Sequence, residues 1–111
     1  MNSEKIVQKQ LEFYNNHDLE GFISTYYDEV EVYNLIDNSV MIRGKEQLKD
    51  SYRERFEVLN VHADIQNRIV IGNKVIDHEY VTGLEENKIK KAVAIYEVEN
   101  SLIKRVWFVF E

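Results

Sequence analysis

The hydrophobic positions of this chain change period part-way along it. Over residues 4–16, EKIVQKQLEFYNN, the side chains of Ile6, Val7, Gln10, Leu11 and Tyr14 share one helical face, with Asn2 or Ser3 placed to cap its start. A second helical stretch follows at once in HDLEGFISTYYDE, with Asp18 as N-cap and Leu19, Phe22, Ile23 and Tyr26 on one side. Residues 30–36, VEVYNLI, then alternate as a strand does, and SVMIR at 39–43 reads as a short return strand before Gly44. KEQLKDSYRERFEVL restores the helical spacing, with Leu48, Tyr52, Phe56 and Leu59 as its apolar stripe. Beyond residue 60 everything is extended. VHADIQNRIVI and KVIDHEYVTG flank Gly72-Asn73, and IKKAVAIYEVE and IKRVWFVF flank Asn100-Ser101, both turn-forming pairs. No proline interrupts these strands. The pattern predicts one α+β domain over residues 1–111, with three helices on one side of a curved antiparallel sheet.

Register carries the reading to individual side chains. A two-residue turn at Gly72-Asn73 sets Ile71 opposite Lys74 and sorts the first long hairpin into two faces. One face collects Ala63, Ile65, Asn67, Ile69 and Ile71 with Ile76, His78, Tyr80 and Thr82; being the more apolar, it is predicted to meet the helices. The other holds Arg68 opposite Asp77, followed by Glu79, and is predicted to face solvent or a partner subunit. The second hairpin pairs Val98 with Ile103, then Tyr96 with Arg105, Ala94 with Trp107 and Ala92 with Val109. Its opposite face, Val93, Ile95, Val106, Phe108 and Phe110, is also apolar. A sheet apolar on both sides needs cover on both, so a homodimer through this outer face is expected.

Composition narrows the classes. The 111 residues are 44% hydrophobic and 31% charged, the balance of a globular domain with one core. A net charge of −6 with interleaved signs argues against nucleic acid as a partner. There is no cysteine, hence no thiol chemistry. MNSEKIVQKQ lacks the apolar core of a signal peptide and no run reaches membrane-spanning length, so a cytoplasmic location without membrane attachment is the expectation.

The stretch FYNNHDLEGFISTYYDEVEVYN, with its N-x-x-D-L-x-G-F motif, then RGKEQL and the late IYEVEN…IKRVWF hairpin, resembles the NTF2-like superfamily. This superfamily includes ketosteroid isomerases and SnoaL-like polyketide cyclases. The resemblance implies a cone-shaped cystatin-like roll of helices and curved sheet around a pocket, often dimeric through the sheet. It also implies a carboxylate base, a tyrosine and a second acid, and here the chain departs from the family. The corresponding positions hold Asn34, Gln10 and Ala94.

The remaining candidates come from the predicted inward face. His78 is the candidate base, since histidine ordinarily titrates near neutrality, and Tyr14 or Tyr80 is the candidate donor to a developing oxyanion. Asn34, Tyr96, Arg105 and Trp107 are the candidate ligand contacts, with Arg105 suited to a carboxylate. An aromatic content of 12% fits a pocket for a small apolar or aromatic ligand, and fits equally a core filled by tyrosines. His62 and Asp64 share a strand face without a third ligand, so neither a metal nor another cofactor is expected. Two functions stand open: an isomerase or cyclase acting on an apolar carbonyl compound, and a ligand-binding or dimerising module without chemistry.

Overall fold

The computed structural model describes residues 2–111. Helix α1 (Ser3–Asn15) starts where the Asn2 side chain accepts the Lys5 amide, and α2 (Leu19–Ser24) starts where Asp18 accepts the Gly21 amide at 2.9 Å. Helix α2 is shorter than its periodicity predicts. The Ser24 and Thr25 hydroxyls turn back onto the Gly21 and Phe22 carbonyls, and Tyr26–Glu29 joins strand β1 (Tyr26–Asn34) instead of continuing the helix. After β2 (Val40–Arg43) and α3 (Lys45–Glu57), strands β3 (His62–Ile71), β4 (Lys74–Thr82), β5 (Ile89–Glu99) and β6 (Leu102–Phe110) complete the chain.

The six strands form one sheet in the order β2-β1-β6-β5-β4-β3. Neighbours are antiparallel except β1 and β6, which run parallel, so β1 brings the N-terminal half onto the edge of the C-terminal meander. Helix α1 lies along β3 and β4, and α3 lies against β1 and β2. Their apolar stripes meet around Phe22, which is fully buried with ring neighbours Tyr26, Tyr52 and Phe56 about its own ring. The N-x-x-D-L-x-G-F motif has a mechanical meaning here. Asn15 clamps the backbone of Ala63 through both its amide and its carbonyl, at 3.0 and 2.8 Å. Asp18 caps α2, and Gly21 lies so close to the Phe13 ring that a side chain would collide with it.

Both hairpin turns pair as the sequence predicts, Ile71 with Lys74 and Val98 with Ile103. Asn100 and Ser101 both take positive φ, as a two-residue turn matched to sheet twist requires. Beyond the turns, however, each hairpin contains a bulge. One falls between Ile65 and Asn67, the other opposite the Glu97–Val98 step. Each inserts one residue, Gln66 or Lys104, and reverses the facing of everything beyond it.

The two bulges correct the predicted faces. Ala63 and Ile65 pair with Val81 and Glu79, not with Thr82 and Tyr80. Tyr96 pairs with Val106, Ala94 with Phe108, and Ala92 with Phe110. On β4 the pairing of His78 with Asn67 is as predicted, but the inner face is the other one. Val75, Asp77, Glu79 and Val81 are all buried toward the helices, with Ala63 brought to their side by the bulge, while His78 is exposed on the opposite side. Of the expected dimer face, Val93 and Ile95 remain outward. Val106 is buried in the core, and Phe108 and Phe110 turn toward the helices.

Candidate functional site

A cavity lies between α1, α3 and the inner face of the sheet. Helix α1 supplies Gln10, Leu11 and Tyr14, and α3 supplies Tyr52 and Arg55. Ala63, Glu79, Val81, Tyr96, Phe108 and Phe110 come from the strands, with Leu84 from the loop after β4. Leu84 is set there by Gly83, whose φ of +88° and close approach to the Asn60 carbonyl leave no room for a side chain. The inner cavity has a volume of about 20 Å³, room for roughly one water. Tyr52, Arg55, Phe108 and Phe110 also line an outer groove of about 260 Å³, together with Val32, Met41, Ile42 and Ser51. These four shared side chains separate the narrow inner cavity, which Glu79 and Tyr14 line, from the wider groove, where Val32, Met41 and Ile42 supply an apolar side.

Glu79 gives the inner cavity its chemistry. It is 8% exposed, and burial together with the neighbouring Asp77 pushes its pKa up to about 7, against the weaker pull of Arg55 and Arg68. Asp77 is anchored two residues away by both nitrogens of the Arg68 fork, at 2.6 and 2.9 Å, and Arg68 also reaches Gln8 at 2.8 Å. Ala94 and Ala92, the cross-strand partners of Asp77 and Glu79, leave space for the two acids. Asp77 is thus held as one half of an ion pair, while no basic group comes within ion-pair distance of Glu79 among the described residues.

Tyrosines surround the same space. Burial pushes the Tyr14 phenol up to about 12 despite the nearby Arg55, and burial raises Tyr26, Tyr52 and Tyr96 as well, so all four stay protonated donors. The Tyr14 hydroxyl is buried, and among the described residues no group makes a well-formed hydrogen bond with it, Arg55 being the neighbour close enough to lower its pKa. Such a donor in the same cavity as a carboxyl that titrates near neutrality is unusual, because native interiors normally satisfy such groups. Arg55 lies over the Tyr52 ring, its guanidinium carbon 4.5 Å from the ring centroid.

Of the residues singled out from sequence, Tyr14 and Tyr96 meet in this cavity. The others do not. His78 and Tyr80 lie edge to face, 5.4 Å apart, on the opposite side of β4, where Lys91 covers Tyr80. Asn34 accepts the Ile36 amide at 2.9 Å and closes the turn after β1. Arg105 faces outward, paired with Glu97 and with Glu31 at 3.8 Å, and Trp107 stacks on Tyr33 at 5.6 Å on that same outer side. The bulge at Lys104 accounts for both reversals on β6. Sequence reasoning missed Glu79 and Arg55. Valines at both ends of the V-x-D-x-E-x-V alternation signal the first, and Arg55, one turn beyond Tyr52 beside the apolar stripe of α3, signals the second.

The SnoaL-like domain model matches residues 7–106. The chain belongs to this family. Among solved structures, the SnoaL-like chain superposes on an uncharacterized cystatin-fold protein from Novosphingobium aromaticivorans with a TM-score of 0.86 and 23% identity, covering 98% of each chain. An NTF2-like protein of unknown function from Cytophaga hutchinsonii gives 0.81 at 12% identity, covering 100% of this chain and 91% of that one. A LEH-like epoxide hydrolase of M. tuberculosis gives 0.81 at 16% identity, covering 98% and 82%. At these identities the likeness is one of fold. No curated protein matches the SnoaL-like chain by sequence. No helix among the described residues is long and apolar enough to cross a membrane.

Proposed function

We propose that this SnoaL-like protein is a small-molecule enzyme of the isomerase or cyclase type, moving a proton on a carbonyl compound, with Glu79 in the role that the sequence pattern assigned to His78. The observation that carries the reading is a buried carboxyl without an ion-pair partner among the described residues, its pKa pushed up by burial to about 7, lining the same cavity as the buried Tyr14 hydroxyl. A general base works best when its pKa lies near the working pH. In its ionised form Glu79 takes a proton from the carbon next to the carbonyl. The electron pair of that C–H bond shifts onto the carbonyl oxygen, where the Tyr14 hydroxyl donates a hydrogen bond to it. Glu79 then returns the proton to another carbon of the same conjugated system. The wider groove admits the ligand body, and the narrow cavity suits a reacting polar head.

Proton exchange tests this directly. Enolisable ketones incubated with the protein in deuterium oxide should take up deuterium at the carbon beside the carbonyl, followed by proton NMR. Glu79→Gln should slow this by about 10²–10⁴-fold. Uptake that is the same with and without Glu79 would remove the enzymatic reading and leave the ligand-binding module.

A cytoplasmic homodimer is the second part of the proposal. The outer face of the sheet carries Val93, Ile95, Trp107 and Val109 in adjoining positions, flanked by Ile76 and by Ile69, which is 48% exposed. Sedimentation velocity should give twice the chain mass, and Ile95→Lys should return it to the monomer. A monomer at every concentration would discard this interface.

A further inference from the structure

We propose, building on the pocket reading above, that the ligand carries a single carboxylate, which seats against Arg55 while the apolar remainder fills the outer groove. Every other arginine has an anionic partner. Arg43 pairs with Glu31, Arg53 with Asp50, Arg68 with Asp77 and Arg105 with Glu97. Arg55 pairs with no carboxylate among the described residues; its close neighbours are the Tyr52 ring below it and the Tyr14 hydroxyl, whose pKa it pulls down, and a neutral phenol leaves the guanidinium charge uncompensated. A guanidinium offers a planar fork of donors matched to a carboxylate, and stacking on an aromatic ring holds that fork in place.

Its position points to an anion from outside the protein. Arg55 lines both the narrow cavity and the groove, so a group bound to it would sit between them. Among the described residues, neither space is lined by a lysine or a second arginine. One positive charge beside the acidic Glu79 fits a monoanion and disfavours a doubly charged phosphate. The apolar side of the groove, Val32, Met41, Ile42 and Phe108, calls for a hydrocarbon or aromatic body. Sequence reading placed carboxylate recognition at Arg105; the outward turn of that residue leaves Arg55 to supply it.

Phenylacetate and its neutral counterpart phenylacetamide are the probes, titrated into the ¹⁵N-labelled protein and followed by NMR. The acid should bind about tenfold tighter than the amide, the scale of one charge-assisted hydrogen-bonded contact. The acid alone should shift the Arg55 side-chain N–H signal in the wild-type protein. Arg55→Gln should erase the preference of acid over amide, and a dispersed amide spectrum like that of the wild type reports that the variant is folded. Arg55→Lys should retain a weaker preference, having lost the fork but kept the charge. Equal binding of acid and amide to the wild-type protein, or a preference that survives in Arg55→Gln, overturns the carboxylate assignment and leaves the acid–base pocket standing. If neither probe perturbs the cavity residues, the pocket reading falls with it.

Discussion

The two faces of β4 carry ionisable residues in direct succession, yet they have opposite fates. Asp77 and Glu79 point into the core, whereas His78 between them stands in the open with Tyr80. The buried face thus holds two acids, an inversion of the usual expectation for a sheet face covered by helices. The inversion has a compensating structure. Asp77 is neutralised by a bidentate Arg68, Glu79 is relieved of its charge by a raised pKa, and Val75 and Val81 seal both ends. Apolar residues then remain for the outer face, where Ile76, Ile95 and Trp107 need a different cover. A buried polar row concentrates chemistry where solvent is excluded, and an apolar outer row is suited to assembly.

Breaking the ion pair is expected to have the largest effect. Asp77→Ala leaves Arg68 partly buried with only the more distant and exposed Glu4 carboxylate, at 3.6 Å, and stability should fall by roughly 3–5 kcal/mol. Urea unfolding measures it. A loss under about 1 kcal/mol would mean that water already satisfies both charges and that Asp77 is not truly interior. Asp77→Asn keeps the shape and removes the charge that helps hold the Glu79 proton, so the pH profile of deuterium exchange should move to lower pH.

Titration of Glu79 sharpens the comparison with a smaller effect and a definite sign. In the folded protein Glu79 keeps its proton up to about pH 7, whereas in the unfolded chain it releases it near 4.5. Between these values the folded state binds the extra proton, so this group makes stability fall as pH rises from about 4.5 to about 7, and adds no further change beyond. The whole difference is about 3 kcal/mol at the conversion of roughly 1.4 kcal/mol per pKa unit. Glu79→Gln should therefore match the wild type at about pH 4 and exceed its stability by about 2–3 kcal/mol at about pH 8. Parallel urea curves at both pH values decide it; a gap that does not grow with pH would place Glu79 in contact with bulk water.

Much of the fold was legible because it rests on local rules. The caps at Asn2 and Asp18, the stripe Leu48-Tyr52-Phe56 and the turns at Gly72-Asn73 and Asn100-Ser101 each follow from residues close in sequence. The parallel pairing of β1 with β6 did not, since no local pattern distinguishes it from an antiparallel neighbour. The site was less legible for a similar reason. Tyr14 and Tyr96 reach the cavity as expected because helix periodicity places the first, and the second lies on β5, which gains no inserted residue and keeps its alternation from Val98. Arg105 and Trp107 were misplaced because strict alternation was continued past Lys104. His78, which pairs with Asn67 as expected, was misplaced because the face with more apolar residues was taken as the inner one, a count that included Ala63 and Ile65 from beyond Gln66. An inserted residue has no compositional mark in either strand. It becomes visible only when both sides of a ladder are known, and it moves a functional assignment from one side chain to its neighbour.

His78 supplies the smallest expected effect and the cleanest test of the comparison. Its ring packs against Tyr80 and its backbone pairs with Asn67 and Val93, contacts that an alanine either keeps or loses at the surface. Exposed substitutions away from special features change stability by about 0.5 kcal/mol or less, so His78→Ala should unfold within that margin of the wild type. Its deuterium exchange should stay within about twofold, while Glu79→Gln loses it. A large loss in His78→Ala with exchange preserved in Glu79→Gln would reverse the assignment of the two faces and move the chemistry to the outer side of the sheet. Loss in both would tie the outer face to the pocket through assembly, because His78 adjoins Val93 on the surface proposed to meet the second subunit. Repeating the His78→Ala measurement across the concentration range where the dimer forms separates these outcomes, since catalysis within one subunit does not depend on it.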